Sequence, residues 1–150
     1  MIAVIQRVKE ANVKIDEVVT GKISQGLMIL LGVAEEDDET DIEWLTTKIY
    51  GLRIFGDEEG KMNLNIEQVS GEILLISQFT LQASTKKGNR PSFIKAAKPE
   101  LAIPLYEKTI LSFGQKMGKA IETGTFGADM QVNLINDGPV TIIINSKDRK

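Results

Sequence analysis

The order of patterned segments predicts an α+β protein: a single domain over residues 1–150, largely antiparallel sheets with two main helices. Three observations carry this. Strand-length apolar or alternating runs recur along the chain, whereas only two stretches place apolar residues at helical spacing. Those two helices fall between groups of strands, giving strands, helix, strands, helix, strands, which favours α+β over a doubly wound sheet. No repeat, low-complexity segment or linker divides the 150 residues, a length that suits one domain.

Taken in order, Ile2, Val4, Gln6 and Val8 share one face of an extended segment, and Ala11, Val13 and Ile15 resume the alternation. Residues 2–15 therefore read as one long strand or two short ones. Arg7, an arginine inside such an element, is either solvated or, as is more common in a central strand, held by a fixed acceptor. Residues 16–21 supply turn chemistry, and residues 27–33 form a buried strand. The acidic run EEDDE at 35–39 fits a loop or the N-terminus of a helix better than a metal site. Thr40 and Glu43 have capping-box spacing. Ile42, Leu45, Ile49 and Leu52 make the first helical stripe, with Trp44 bordering it in the core. Residues 53–55 look extended, 56–60 turn, and 61–65 return beside them.

Ile73, Leu74, Leu75 and Ile76 form an unbroken apolar run, the mark of a strand buried on both faces. It leads directly into Ser77, Gln78, Phe79, Thr80 and Leu81. Satisfied strand hydroxyls are one reading of Ser77 and Thr80; a polar site at the end of a buried strand is the other. Residues 82–91 carry Lys86, Lys87, Gly88, Asn89 and Arg90 and read as a mobile loop. Pro99 suits the first turn of a second helix, with Leu101, Leu105, Phe113 and Met117 on one face and Gly118 at its end. Pro104 either moves the helix start to about Ile103 or kinks its first turn. Residues 131–135 and 140–144 are strand-like, with Asn136, Asp137, Gly138 and Pro139 as the turn between them.

Composition excludes several chemistries. The chain has no histidine and no cysteine. That removes Ser-His and Cys-His nucleophiles and the usual zinc ligands. An enzyme built from this chain relies on hydroxyls, carboxylates, lysines, backbone groups or its substrate, with no metal and no cofactor expected. The formal net charge is −3, so an anionic partner has to be met by a local patch. No apolar run reaches the length of a membrane span, and MIAVIQRVKE reads as a strand, not a signal peptide. Absence of cysteine fits a reducing cytosol.

Two stretches carry a resemblance. SQFTL at 77–81 and NDGPVT at 136–141 resemble the two signature motifs of the D-aminoacyl-tRNA deacylases, the D-tyrosyl-tRNA deacylase type. VIQRV at 4–8, LRIF at 52–55, GKMN at 60–63, NRPSF at 89–93 and ETGTFGADMQV at 122–132 extend the likeness over nearly the whole chain, in family order. Thr125 departs from the family, which carries a basic residue there, and so does Pro104.

The resemblance implies a cytoplasmic homodimer with shared active sites that hydrolyses the ester joining a D-amino acid to the terminal ribose of tRNA. It also implies acceptance of glycine, as in glycyl-tRNA mischarged on tRNA(Ala). Ser77, Gln78, Phe79 and Thr80 of one subunit line the pocket, and a cis Gly138–Pro139 from the other presents its carbonyls as a wall against L side chains. Phe126, Gly127, Ala128 and Met130 match the segment that holds the terminal adenosine. Arg7 and Asn136 support the second motif. Backbone N–H groups near Phe79 and Thr80 suit a developing oxyanion. Thr80 positions water or acts as nucleophile, and the ribose 2′-hydroxyl can help activate water. Lys86, Lys87 and Arg90 suit phosphates near the acceptor end, or are simply solvated. The second reading is a non-enzymatic RNA-binding or interface module, although eight aromatics are few for a stacking sheet.

Overall fold

β1 (Ile2–Ile15) is the strand on which the sheet is assembled. It is continuous over 14 residues and pairs on one side with β2 (Val18–Ile23) and then β3 (Gly26–Gly32), both antiparallel. The computed structural model describes residues 1–149. The turn expected over 16–21 is confined to Asp16 and Glu17, both at positive φ, and Val18 already opens β2. Ala3 and Ile5 point to the same core as the helices, whereas Ala11 and Val13 point to a second one. Register shifts around Val8 cause the exchange, because one extra residue turns every following side chain to the opposite face.

α1 (Glu39–Tyr50) follows the acidic run. Its capping box lies two residues earlier than the spacing suggested. Asp38, not Thr40, is the N-cap, and Asp41 accepts from the Asp38 N–H at 2.9 Å. A carboxylate wins because the helix N-terminus offers unpaired N–H groups to any nearby anion. Ile42, Leu45 and Ile49 are buried as expected. Trp44 is half-buried rather than core, and its ring is faced by Arg149 at 4.7 Å and Lys48 at 5.9 Å. β4 (Phe55–Gly56) and β5 (Met62–Leu64) form the small antiparallel pair read from the sequence.

β6 (Glu72–Ser77) runs parallel to β3 and is buried on both faces. Ile73 and Leu75 enter the core beneath the helices; Leu74 and Ile76 enter the second core, with Val8, Val13 and Met28. The chain then tightens into a 3₁₀ helix, Phe79–Gln82. α2 (Pro99–Met117) starts at Pro99 and runs through Pro104. Its buried side is Ala102, Leu105, Tyr106, Thr109 and Phe113, so Leu101, 38% exposed, falls off the stripe expected for it. Gly118 ends the helix in the left-handed region. The two helices join through a 2.8 Å hydrogen bond between the Thr46 and Ser112 hydroxyls and an ion pair from Lys116 to Glu43 at 3.1 Å.

β7 (Glu122–Thr123) pairs parallel with β6, and β8 (Gln131–Asn145) pairs antiparallel with β1 on its other edge. The sheet is thus antiparallel around β1 and parallel around β6. β8 corrects the expected hairpin: residues 136–139 are not a turn between two strands. Both halves of β8 pair with β1 in the same direction, and the Asn-Asp-Gly-Pro segment is an irregularity inside one 15-residue strand. No helix among the described residues is long and apolar enough to cross a membrane.

Candidate active site

The end of β6 places the first motif. Gln78 N–H donates to the Leu31 carbonyl at 2.7 Å, prolonging the β3–β6 ladder by one residue. The Gln82 amide, buried, donates to the Gly32 carbonyl at 2.9 Å. Gly32 is needed at this approach: a Cβ there would lie 2.8 Å from Leu81 Cβ and 2.9 Å from the Gln78 carbonyl oxygen. The motif is therefore locked to β3 from beneath while its upper side stays open. Ser77 and Gln78 are half-buried; Phe79 and Thr80 are exposed. The Gln78 side-chain amide donates to Thr80 Oγ1 at 2.5 Å. Leu81 N–H is the first to bond within the 3₁₀ turn, to the Gln78 carbonyl at 3.2 Å. The N–H groups of Phe79 and Thr80 precede that first bond, as the opening donors of a helix do.

A cleft of about 270 Å³ joins this segment to residues 126–130. Ser77, Gln78 and Phe79 form one wall, and Phe126, Gly127, Ala128 and Met130 the other, with Ile76 and Val132 at the base. Gly127 turns at φ +78°, and Ala128 N–H closes that turn on the Thr125 carbonyl at 3.2 Å. Thr125 itself is exposed on the outside of the turn. No side chain lining the cleft carries a titratable group, and no group of three His, Cys, Asp or Glu converges among the described residues.

Behind the Phe126 wall of the cleft lies a residue that the sequence did not single out. Tyr106, on α2, donates its hydroxyl to the Leu75 carbonyl at 3.0 Å and sets its ring 6.0 Å from Phe126. Burial pushes its phenol up to about 12. The stripe of Leu101, Leu105, Phe113 and Met117 passed it over, because a hydroxyl that reaches a distant strand leaves no local signal.

The second motif lies elsewhere on the chain. Gly138 and Pro139 are exposed on β8, the peptide between them is cis, and neither lines the cleft of its own subunit. Arg7 has the fixed acceptors expected of it. Its Nε donates to the Asp137 carbonyl at 3.0 Å and its Nη1 to the Ile54 carbonyl at 2.6 Å. The guanidinium thus clamps the backbone just before Gly138 to the β4 region. Gly138 has φ +125°, and a Cβ there would lie 2.8 Å from Arg7 Nη2. Asn136 pairs through its backbone with Val8. Lys86, Lys87 and Arg90 sit at the tip of a finger closed by paired Ser84 and Ser92 backbone groups, at 2.8 and 2.9 Å. All three are exposed, and none has an acidic partner among the described residues.

Fold and cleft define a class: an α+β protein with an uncharged cleft at the end of a buried strand, followed in the chain by a cationic finger. The D-Tyr-tRNA(Tyr) deacylase family model matches residues 4–145, and the chain belongs to that family. D-aminoacyl-tRNA deacylases of Cytophaga hutchinsonii and Flavobacterium psychrophilum are 59% and 56% identical over 150 residues, the whole of each chain. Among solved structures, the c-Myc DNA Unwinding Element Binding Protein superimposes with TM-score 0.92 at 39% identity, over 97% of this chain and 98% of that one. A probable eukaryotic D-amino acid tRNA deacylase shares the fold at TM-score 0.80 and 16% identity, over 95% and 97%.

Proposed function

We propose that the protein hydrolyses the ester of D-aminoacyl-tRNA, releasing the free D-amino acid and tRNA. The observation that carries this is the cleft itself, which brings Ser77, Gln78 and Phe79 against residues 126–130 within a chain of this family. The terminal adenosine lies against Phe126, Gly127, Ala128 and Met130, and its ester reaches the first motif. Water attacks the ester carbonyl carbon, and the bond to the ribose 3′ oxygen breaks. A proton from that water ends on the departing 3′ hydroxyl. The Phe79 and Thr80 N–H groups face the developing oxyanion, and one such donor is typically worth ~10²–10³ in rate. Thr80 Oγ1 already accepts from Gln78 and so is oriented to hold water. With no titratable side chain lining the cleft, the ribose 2′-hydroxyl serves as the group that helps activate water.

The site is completed by a second copy of the chain. Gly138 and Pro139 project from β8 outside their own cleft, held from behind by Arg7, and their carbonyls form a rigid wall in the partner's cleft. A main-chain wall sorts D from L by crowding the place of an L side chain, and it cannot exclude glycine, which has none. Glycyl-tRNA, including that mischarged on tRNA(Ala), is therefore a substrate. Lys86, Lys87 and Arg90 neutralise acceptor-end phosphates. The work of such an enzyme lies in the cytoplasm, where tRNA is charged. The direct test is release of amino acid from D-tyrosyl- and L-tyrosyl-tRNA. Cleavage of the D ester with rejection of the L ester is expected; equal rates would overturn the wall.

The likeness to a DNA unwinding element binding protein favours a second reading, a nucleic-acid-binding module without turnover. That module would bind free tRNA or single-stranded DNA and leave D-tyrosyl-tRNA intact.

A further inference from the structure

We propose that Phe93 and Ile94 form a stacking platform for the unpaired nucleotides that precede the terminal adenosine, so that the protein grips a single-stranded 3′ end rather than one nucleoside. The proposal rests on the reading of the cleft as the seat of that adenosine. Phe79 lines the cleft, and Phe93 packs edge-on against it with ring centroids 5.2 Å apart. The aromatic surface therefore continues outward from the mouth. Phe93 is 37% exposed and Ile94 85%, next to a Phe79 that is itself 53% exposed. Such a run of large apolar side chains in water is unusual unless something covers it.

The backbone beneath is not loose. Ala96 N–H donates to the Phe93 carbonyl at 3.0 Å, Ala97 N–H to the Val33 carbonyl at 2.9 Å, and Glu35 N–H to the Lys95 carbonyl at 3.2 Å. These bonds fasten residues 93–97 to the end of β3, so the exposed side chains stand on a fixed base. Charge identifies the occupant. Residues 73–99 contain Lys86, Lys87, Arg90, Lys95 and Lys98 and not one Asp or Glu, whereas the remainder of the chain holds thirteen basic residues against twenty-one acidic. A stretch of chain with five cations and no carboxylate of its own, carrying Phe79 and Phe93, suits a polyanion whose bases are free to stack. That is single-stranded nucleic acid. A duplex offers no free base faces to such a platform.

The experiment uses tRNA with 2-aminopurine in place of the nucleotide before the terminal adenosine. Its emission is quenched when the base stacks. Quenching on addition of the unaltered protein is expected. Phe93→Leu, which keeps the apolar contact with Phe79, should lose most of the quenching and weaken binding about tenfold. Ile94→Ser should act in the same direction. In parallel, hydrolysis of D-tyrosyl-tRNA is compared with hydrolysis of the D-tyrosyl ester of adenosine alone. The Phe93→Leu variant should lose kcat/KM on the tRNA and far less on the nucleoside. Absence of quenching with the unaltered protein, or equal losses on both substrates, would overturn the platform. Failure of the unaltered protein to cleave either ester would instead overturn the deacylase reading, and the quenching would still decide the platform.

Discussion

At Thr80 the hydroxyl is exposed and tied to the Gln78 amide, with no acid or base lining the cleft to activate it as a nucleophile. Thr80→Ala should therefore slow deacylation by no more than ~100-fold, because backbone donors and the substrate remain. A trapped aminoacyl ester on Thr80 would show the opposite. Gly138 is less tolerant. Its φ of +125° disfavours any L side chain, and an added methyl would push against a guanidinium already held by two carbonyls. Gly138→Ala should displace Arg7 and lower kcat/KM on D-tyrosyl-tRNA while circular dichroism stays unchanged. Full activity in that variant would separate the second motif from the reaction.

At the scale of elements, the start of α1 is held by carboxylates in unequal settings. Asp41 is buried, and burial opposes its charge. Hydrogen bonds from Ser146, from the Asp38 N–H and from Lys147 outweigh that opposition and bring its carboxyl down to about 2. A folded-state value below the ordinary one stabilises the fold at every pH above the unfolded value near 4. That contribution is lost as pH falls from about 4 to about 2. Urea midpoints measured over that range should fall for the parent and change less for Asp41→Asn, which starts lower. Tyr106 makes a second link, from α2 to β6. Tyr106→Phe removes one buried hydrogen bond and should cost about 1 kcal/mol.

For the molecule as a whole, the second motif does not line the cleft of its own chain, so the proposed site requires a second copy. A variant inactivated across residues 77–80, mixed after unfolding with one inactivated at Gly138, should recover up to about a quarter of parent activity through hybrid dimers. Activity from a verified monomer would contradict the shared site.

Much of this was legible in local sequence. Four consecutive apolar residues marked β6 as buried on both faces, helical stripes marked α1 and α2, and Arg7 in a strand favoured a fixed acceptor over a solvated side chain. The absence of histidine and cysteine already ruled out whole classes of catalytic machinery. These features depend on residue type and short spacing, and short spacing is what a strand or helix reads. Other outcomes depended on pairing between distant residues. Asn-Asp-Gly-Pro has the composition of a turn, yet it became an irregularity inside β8 because β1, more than 120 residues earlier, pairs with both flanks. The cleft arose in the same way, from β6, the 3₁₀ turn and residues 126–130 meeting across the sheet, with Tyr106 reaching from α2 to pack behind Phe126. Local pattern determined which elements form and which chemistry is unavailable. Long-range backbone pairing and close packing decided where the polar residues meet, because those energies appear only once the chain has closed on itself.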